Sequence, residues 1–340
     1  MEPDRPRLVG GRIAVWALSR TLAAYLLALV ALSVLTVVAP QRTGFLALLP
    51  IIAPHLYLIG LLLLALLVPL AVVTRDRLLI GSLVVFGLVA LIRFGDEWVS
   101  FPSGAAPDSS LHLVSWNMQI YARNPSQAVE ILLLQDADVI ALQELTNDDA
   151  APIEADPELL ARYPYRVLAP QESVFGIGLL SAYPILQDEV FADPVGMTAR
   201  LDLGGGQEVI VLNAHPAPGR IGAFSFDATQ RDEGLDRLRA RIDELLSGED
   251  PFIVIGDYNV ASSEPAYGRL AAGLRDVHRE VGFGPGWTWR PIRLEGLGFG
   301  VLRIDYVFGG PSVTPRAIGV DCRNPGDHCI LSAAVDLPPP

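Results

Sequence analysis

Five polar side chains lie at the ends of apolar runs that are typical of buried strands. They are Glu144, Asp257, Asn259, Asp327 and His328. Carboxylate and amide oxygens are ligands for a hard cation such as Mg²⁺. An imidazole or a carboxylate can serve as a base for water, and hydrogen-bond donors can stabilise charge that builds on phosphorus. The pattern therefore predicts metal-assisted hydrolysis of a phosphoester.

Two of these positions follow well-defined apolar runs. Glu144 comes after Val139–Leu142, so its carboxylate is expected to emerge from the core. Because burying an unpaired charge is costly, a metal ion or an arginine must pair with it, and we favour the metal. Asp257 and Asn259 follow Phe252–Ile255. Asp257 can orient or deprotonate water and Asn259 can hold a phosphate oxygen, whereas the alternative is an ordinary Asp/Asn turn.

Two further strand ends carry nitrogen donors. Asn117 closes Leu111–Trp116, where it could coordinate a metal-bound water or bind a phosphate oxygen, or simply serve as a turn residue. His215 follows Val209–Leu212. A protonated ring there would donate to a phosphate oxygen, and a structural imidazole is the alternative.

Asp305 lies inside the apolar run Arg303–Phe308, so it needs a buried partner. His328 is the natural one, because a carboxylate orients an imidazole and raises its basicity. Arg231 opens a long predicted helix after the His215 loop. It could bind phosphate, and a solvated salt bridge is an equal alternative.

Two more pairs flank the predicted site. Trp287 and Trp289 lie in a Gly/Pro-rich stretch and could grip substrate or lipid, with core packing of at least one as the alternative. Cys322 and Cys329 flank Asp327-His328. They are either a disulfide that holds this pair in place, which would fit a location outside the cytoplasm, or two unrelated thiols.

Strand-like and helix-like segments alternate after residue 110. Leu111–Trp116 is a predicted strand, and Ser126–Gln135 and Asp227–Leu246 are predicted helices. Some neighbouring strands have no helix between them, which predicts a mixed sheet or two packed sheets covered by helices. Ends of strands are the usual position of sites in α/β folds.

In sequence order the motifs read SWN, QE, NxH, GDxN, IDY and DH. This order resembles the endonuclease/exonuclease/phosphatase superfamily, the fold of DNase I, abasic-site endonucleases, neutral sphingomyelinases and inositol-polyphosphate 5-phosphatases. The resemblance runs from Leu111 to Leu337. It implies a four-layer α/β sandwich and a divalent cation, Mg²⁺ or Mn²⁺. Glu144 resembles the principal metal ligand, with Asn117 and Asp327 nearby.

The resemblance also implies catalytic roles. Asp257 and Asn259 resemble the pair that positions nucleophile and phosphate. His215 resembles a phosphate-binding histidine, and His328, paired with Asp305, resembles the catalytic histidine. Whether the imidazole or Asp257 is the base stays open.

Three positions differ from the pattern of the superfamily or of one of its branches. Gln119 stands where abasic-site endonucleases carry an aspartate, and these enzymes also lack a histidine at position 215. Both differences argue against DNA repair. Gly326 stands where a serine is usual, which leaves the following aspartate and histidine in place.

Three apolar runs precede the motifs and predict transmembrane helices at about 16–39, 45–73 and 78–98. The first run could instead be a cleaved signal peptide, and the third could be re-entrant. Four arginines lie before or within the start of the first run, and two lie between the second and third. By the positive-inside rule the N-terminus is cytoplasmic and the domain that follows is outside.

Charge divides the chain at the same boundary. Residues 1–95 hold eight arginines and three acidic residues, a net charge of +5, and the remainder holds 17 arginines and 35 acidic residues, a net charge of −18. A domain this acidic repels nucleic acid at long range.

The sequence therefore predicts a membrane region at 1–99, a linker at 100–110 and a catalytic domain at 111–340. We expect a membrane-anchored, bacterial-type, metal-dependent phosphodiesterase or phosphomonoesterase whose domain is extracytoplasmic. Its expected partners are the bilayer and a phosphoester, either a lipid or a small molecule, and no obligate protein partner is evident. The alternatives are an extracellular nuclease and a non-catalytic module that binds phosphate ligands.

Overall fold

The computed structural model describes residues 5–99, 109–119 and 125–340, so most of the predicted linker lies outside the described residues. The helices are α1 Arg5–Val38, α2 Phe45–Thr74, α3 Arg77–Trp98, α4 Pro125–Leu133, α5 Asn147–Ala155, α6 Pro157–Arg162, α7 Thr229–Ser247, α8 Pro265–Leu270 and α9 Val277–Val281. The strands are β1 Thr43–Gly44, β2 Leu111–Asn117, β3 Val139–Gln143, β4 Tyr165–Ala169, β5 Ile177–Ser181, β6 Ile185–Ala192, β7 Val195–Gly204, β8 Gln207–His215, β9 Arg220–Ile221, β10 Phe226–Asp227, β11 Phe252–Asp257, β12 Arg275–Asp276, β13 Asp305–Gly309, β14 Thr314–Asp321 and β15 Ile330–Asp336.

Helices α1 to α3 confirm the three predicted apolar helices. Ile13–Val38, Phe45–Thr74 and Arg77–Trp98 are each long and apolar enough to cross a membrane, with mean hydropathies of 2.4, 2.9 and 2.3. α3 has 22 residues, so it reaches the length of about 20 that a crossing requires. Asp76 begins this helix by accepting hydrogen bonds from the backbone N–H groups of Leu78 and Leu79. Actual insertion in a membrane stays a prediction.

Two six-stranded sheets pack face to face in the rest of the described chain. Their strand orders are β14-β15-β2-β3-β5-β4 for the first sheet and β12-β13-β11-β8-β7-β6 for the second. β2 and β3 pair in parallel, as do β8 and β11, and the remaining pairs are antiparallel. Helices α4 to α6 cover the outer face of the first sheet, and α7 and α8 cover that of the second. This arrangement confirms the predicted four-layer α/β sandwich.

Side chains between the sheets change from apolar to polar toward one end of the sandwich. Leu113 of β2 and Ile255 of β11 belong to the central core. Because side chains alternate along a strand, Asn117 and Asp257 project into the same gap. The same alternation places three more polar side chains on inward-facing positions of β3, β8 and β13, namely Gln143, His215 and Asp305. The two sheets thus deliver their polar groups to one end of the core.

A third, small sheet joins the helices to the sandwich. β1 lies in the connection between α1 and α2 and pairs antiparallel with β10, which pairs antiparallel with β9. Ala47 of α2 packs with Phe226 and Ala228 in a small apolar cluster beside this sheet. The end of α1, the start of α2 and the end of α3 therefore lie at the same end of the helix bundle, against the sandwich.

Polar contacts strengthen this junction. The hydroxyl of Ser262 donates to Glu97 at 2.6 Å, and that of Ser263 donates to the carbonyl of Pro50 at 2.6 Å. Arg279 of α9 pairs with Glu97 at 3.5 Å. Glu97 is buried, so these contacts satisfy a charge at the end of α3. The apolar helices and the sandwich are one packed structure rather than two bodies joined only by a linker.

Candidate active site

His328 lies between two buried carboxylates. Its Nδ1 is 3.0 Å from Asp305 Oδ2, and its Nε2 is 3.5 Å from Asp257 Oδ2. Burial opposes a charge on the ring, but the carboxylates of Asp305 and Asp257 outweigh it and raise the pKa of His328 to about 10. The predicted pairing of Asp305 with His328 is therefore present, with Asp257 on the opposite side of the ring.

His215 approaches the same carboxylate from β8. Its Nδ1 donates to the carbonyl of Val174 at 2.9 Å, which leaves Nε2 at 3.5 Å from Asp257 Oδ2. Burial opposes protonation, but the hydrogen bond to Asp257 and its charge raise the pKa of His215. Burial by itself would raise the pKa of the Asp257 carboxyl, but His328 and His215 outweigh burial and lower this pKa. One aspartate is thus faced by two imidazoles.

Asn117 connects this group to Glu144. Its Nδ2 donates to Asp257 Oδ2 at 2.9 Å and to Glu144 Oε1 at 3.1 Å. Its Oδ1 accepts from the backbone N–H of Gln119 at 2.9 Å. Glu144 and Gln119 have φ angles of 53° and 51°, in the left-handed region that non-glycine residues rarely adopt. Such conformations persist where surrounding contacts enforce them, often at functional sites.

The oxygens around Glu144 and Asp327 fit a divalent cation. Burial raises the pKa of Asp327, and the neighbouring charge of Glu144 raises it further, although His328 opposes the shift. Asp327 Oδ2 accepts from the indole N–H of Trp289 at 3.1 Å, whereas the buried Oδ1 has no hydrogen-bond partner. A cation would satisfy this oxygen and relieve the repulsion between the carboxylates.

A second group of possible metal ligands is less suited to a cation. Asp257, Asp305 and His328 place ligand atoms within 4.8 Å of one another. Both ring nitrogens of His328 already face these carboxylates, Nδ1 in a hydrogen bond with Asp305 and Nε2 in a longer ion pair with Asp257, so the three side chains form a paired array. The Glu144–Asp327 pair, in which a buried oxygen of Asp327 has no hydrogen-bond partner, is the better fit for a cation.

Arg231 lies beneath Asn259 and is buried rather than solvated. Its guanidinium binds both oxygens of Glu264, at 3.0 and 2.7 Å, and also binds Asp232. It donates to the carbonyl of Asn259 at 3.1 Å. Asn259 itself has a φ of 54°, and its Nδ2 donates to the carbonyl of Pro216. The arginine thus holds the loop after β11, and its contact with phosphate stays a prediction.

Sequence reasoning missed a bridge between the two sheets. Gln143 Nε2 donates to Asn213 Oδ1 at 2.8 Å, and Asn213 Nδ2 donates to the carbonyls of Leu142 and Gly178. Both amides are fully buried. They precede Glu144 and His215 by one and two residues, so they fix the spacing of the strands that carry those groups. The only sequence signal was an amide at an otherwise apolar strand end.

Arg290 is a second residue that the sequence did not reveal. It is completely buried and donates to the carbonyls of Cys322, Asn324 and Gly326, at 2.5, 2.9 and 3.1 Å. The structure contains the Cys322–Cys329 disulfide, as hypothesised. The cross-link and Arg290 together immobilise the short loop that carries Asp327 and His328. Three carbonyl acceptors around the guanidinium of an arginine leave no signature in the linear sequence.

A cavity of about 260 Å³ opens above these groups. Its polar lining includes Glu144, Asn259, Asp327 and His328, and Trp289 lies beside them. Its apolar lining comes partly from an unexpected source, since Ile51 of α2 forms part of the wall together with Ile221 and Phe226. Among the predicted tryptophans, Trp287 stacks instead on His55 of α2, with ring centres 4.8 Å apart.

Solved structures share this fold at low sequence identity. A humanized D. rerio TDP2 aligns with a TM-score of 0.55 and 21% identity, over 67% of this chain and 100% of that chain. The 3′ phosphatase NExo from Neisseria, bound to a product DNA hairpin, gives 0.52 and 18%, over 66% and 99%. An endonuclease/exonuclease/phosphatase family protein from Bacteroides thetaiotaomicron gives 0.51 and 16%, over 66% and 97%.

A comparison with proteins of curated function finds no significant match. The model of the Endonuclease/Exonuclease/phosphatase family matches residues 114–328, which is more than half of the chain and spans every site residue described above. Enzymes of this family hydrolyse phosphoester bonds and generally depend on a divalent metal. The chain belongs to the Endonuclease/Exonuclease/phosphatase family and is a hydrolase of phosphoester bonds.

Proposed function

We propose that this chain is a membrane-anchored, divalent-metal-dependent phosphoesterase that acts outside the cytoplasm on a phosphoester at the membrane surface. The observation that carries the proposal is the cavity lined by Glu144, Asp327 and His328, because α2 contributes Ile51 to its wall. A substrate in that cavity would contact the catalytic groups and an apolar helix together. The acidic charge of the sandwich supports a lipid or small phosphoester over nucleic acid.

The residues divide the chemistry among themselves. Mg²⁺ or Mn²⁺ held by Glu144 and Asp327, with Asn117 beside them, would act as a Lewis acid toward the phosphoryl oxygens. Asp257 orients the attacking water through the oxygen that faces both histidines. His215 and His328 direct Nε2 toward the same space and donate to phosphate oxygens as charge develops. Asp305 keeps the ring of His328 in that orientation.

Three observations support an extracytoplasmic domain. The start of α1 and the turn between α2 and α3 lie at the end of the bundle away from the sandwich, and both are rich in arginine. By the positive-inside rule that end is cytoplasmic. The disulfide between Cys322 and Cys329 fits an oxidising compartment.

Nucleic acid is the alternative substrate. It is favoured by two of the similar structures, since NExo from Neisseria is described as a 3′ phosphatase bound to product DNA and D. rerio TDP2 is described in complex with a single-strand DNA product. A DNA strand would have to overcome the net charge of −18 that residues 96–340 carry.

The full-length enzyme, reconstituted in lipid nanodiscs, tests the proposal. Sphingomyelin, phosphoinositides, plasmid DNA and RNA are assayed with Mg²⁺, with EDTA, and with the variants Glu144→Ala and Glu233→Ala. Glu233 is an exposed carboxylate on α7 and serves as the matched control. We expect hydrolysis of a lipid that EDTA and Glu144→Ala abolish and Glu233→Ala preserves. Hydrolysis that survives both EDTA and Glu144→Ala would refute the metal mechanism. Cleavage of DNA, with no hydrolysis of any lipid, would show that the substrate is nucleic acid.

Protease treatment of intact cells tests the location. We expect the domain to be digested from outside, while the N-terminus stays protected. Full protection of the domain in intact cells, followed by digestion after lysis, would show that it is cytoplasmic.

A further inference from the structure

The β9–β10 hairpin is defined here as residues 218–228, and it borders the cavity on the side of the helices. Gly219, Ile221 and Phe226 of this hairpin line the cavity, and Ile51 of α2 lies in the same wall. The hairpin therefore stands between the catalytic groups and the start of an apolar helix.

The connection between α1 and α2 fixes the direction of the β9–β10 hairpin. Gly44 pairs with Phe226 and Thr43 pairs with Asp227, in antiparallel register. In this register the hairpin turn, residues 222–225, lies at the Gly44 end of the small sheet, where the chain enters α2. The backbone N–H of Ala228 also donates to the carbonyl of Arg42 at 2.8 Å. The hairpin turn is thus held next to the start of α2, the second of the three apolar helices.

The β9–β10 hairpin presents large apolar side chains to the outside. Ile221 is 77% exposed and Phe224, in the turn, is 81% exposed. Phe45, the first residue of α2, is 57% exposed and directly follows Gly44, which pairs with Phe226 of the hairpin. Apolar side chains of this size are stabilised by leaving water, and aromatic residues are enriched at the membrane–water interface. A bilayer around α2 is the environment that would cover all three.

We propose that the β9–β10 hairpin is immersed in the membrane interface and admits a membrane lipid with a phosphoester headgroup sideways into the cavity. This inference rests on the proposed function and names its substrate class. The occupant follows from the lining, since an amphiphile needs a polar floor for its headgroup and an apolar wall for its chain. Glu144, Asp327 and His328 supply the floor, and Ile51, Ile221 and Phe226 supply the wall.

Immersion is tested with the full-length protein in vesicles that contain brominated phosphatidylcholine. The chain has five tryptophans, so emission from Phe224→Trp is compared with the parent protein and with Leu134→Trp. Leu134 is also 81% exposed but follows α4, on the outer face of the first sheet. We expect quenching of the added signal at position 224 and none at 134. An unquenched tryptophan at 224 would overturn the proposal, whatever the activity of the enzyme.

Lipid admission is tested by two substrates. Phe224→Ser is assayed on vesicles of sphingomyelin or phosphatidylinositol phosphates in phosphatidylcholine, and on soluble bis(p-nitrophenyl) phosphate. We expect lipid hydrolysis to fall by about tenfold or more, while hydrolysis of the soluble ester changes less than about twofold. Leu134→Ser should leave both rates unchanged.

The two substrates also separate this inference from the proposed function. Unchanged lipid hydrolysis in Phe224→Ser, or an equal loss on both substrates, would overturn lipid admission by the β9–β10 hairpin. Glu144→Ala should abolish both reactions, and turnover that survives it would refute the metal mechanism of the proposed function instead.

Discussion

The buried charges of His328 and Arg231 have neighbours that compensate them, whereas Asp327 keeps a buried oxygen without a hydrogen-bond partner. His328 is held by two carboxylates, and Arg231 is matched by Glu264 and Asp232. In a low-dielectric interior a charge that loses its partner is strongly destabilised, so these groups constrain one another. The preorganised donors around Asp257 follow from this constraint, and preorganisation is what stabilises a transition state electrostatically.

Replacing Asp305 by asparagine tests the group formed by Asp257, His328 and Asp305. Asparagine keeps the size of the side chain but removes the charge that orients His328, so we expect kcat for the preferred substrate to fall by about 10²–10⁴-fold with little change in KM. Asp188→Asn is the matched control, because Asp188 is exposed on β6 at the edge of the same sheet. Steady-state kinetics and thermal unfolding are measured together. A loss of kcat under about twofold in a folded variant would remove Asp305 from the mechanism.

At this scale the sequence predicted the charged groups better than the neutral ones. The pairing of Asp305 with His328 could be inferred because a buried carboxylate requires a partner. The bridge from Gln143 to Asn213 could not, since an amide has many possible partners and the two residues meet only after the sheets have packed. Arg290 escaped notice for a similar reason, because its partners are carbonyls that any residue carries.

Among the elements, the connection between α1 and α2 differs most from expectation. Its sequence is a short polar interruption between two apolar runs, which predicts a loop. It becomes a strand because Phe226 and Asp227 offer unpaired backbone groups beside it. The long helices and several strands were predictable because periodicity and turn residues are local, whereas the division into two sheets was implied only by the family resemblance. A two-residue strand that pairs across about 180 positions has no local signal.

The contact between α9 and α3 should make the stability of the fold depend on pH. His278 is buried in α9, and its Nε2 lies 2.8 Å from the carbonyl of Gly284, whose N–H donates to the carbonyl of Trp98. Burial lowers the pKa of His278 to about 4, with the charge of Arg303 acting in the same direction. The folded protein therefore holds this ring neutral at a pH where the unfolded chain protonates it.

The free energy of unfolding should consequently fall as the pH decreases from about 6.5 to about 4. This histidine should contribute up to about 3 kcal/mol to that fall. Below about 4 the contribution levels off, because both states are then protonated. The comparison of wild type with His278→Gln in thermal unfolding from pH 7 to pH 4 isolates the effect. We expect the wild type to lose more stability than the variant over this range, and parallel curves would contradict the assignment.

At the scale of the whole molecule, the apolar helices complete the sandwich, in addition to the membrane anchoring that we propose for them. They supply β1, the Ile51 wall of the cavity, the ring that stacks on Trp287, and the partner of Ser262. An enzyme built in this way has its cavity fully formed only when the helices are attached. Activity would then be confined to the membrane by structure as well as by tethering.

Removing residues 1–99 should therefore loosen the β9–β10 hairpin before it unfolds the sandwich. The hairpin loses β1 and the packing of Ala47, whereas the central core between the two large sheets contains no residue of α1, α2 or α3. Local opening costs least where few buried contacts remain, so a protease should cut within residues 218–228 much faster than in the full-length protein. The turn at Gly204–Gly206, far from the helices on the β7–β8 connection, serves as the internal control and should be cut at an equal rate in both. Mass spectrometry of the fragments measures both sites, and equal cleavage of the β9–β10 hairpin in the two proteins would show that the helices do not hold it.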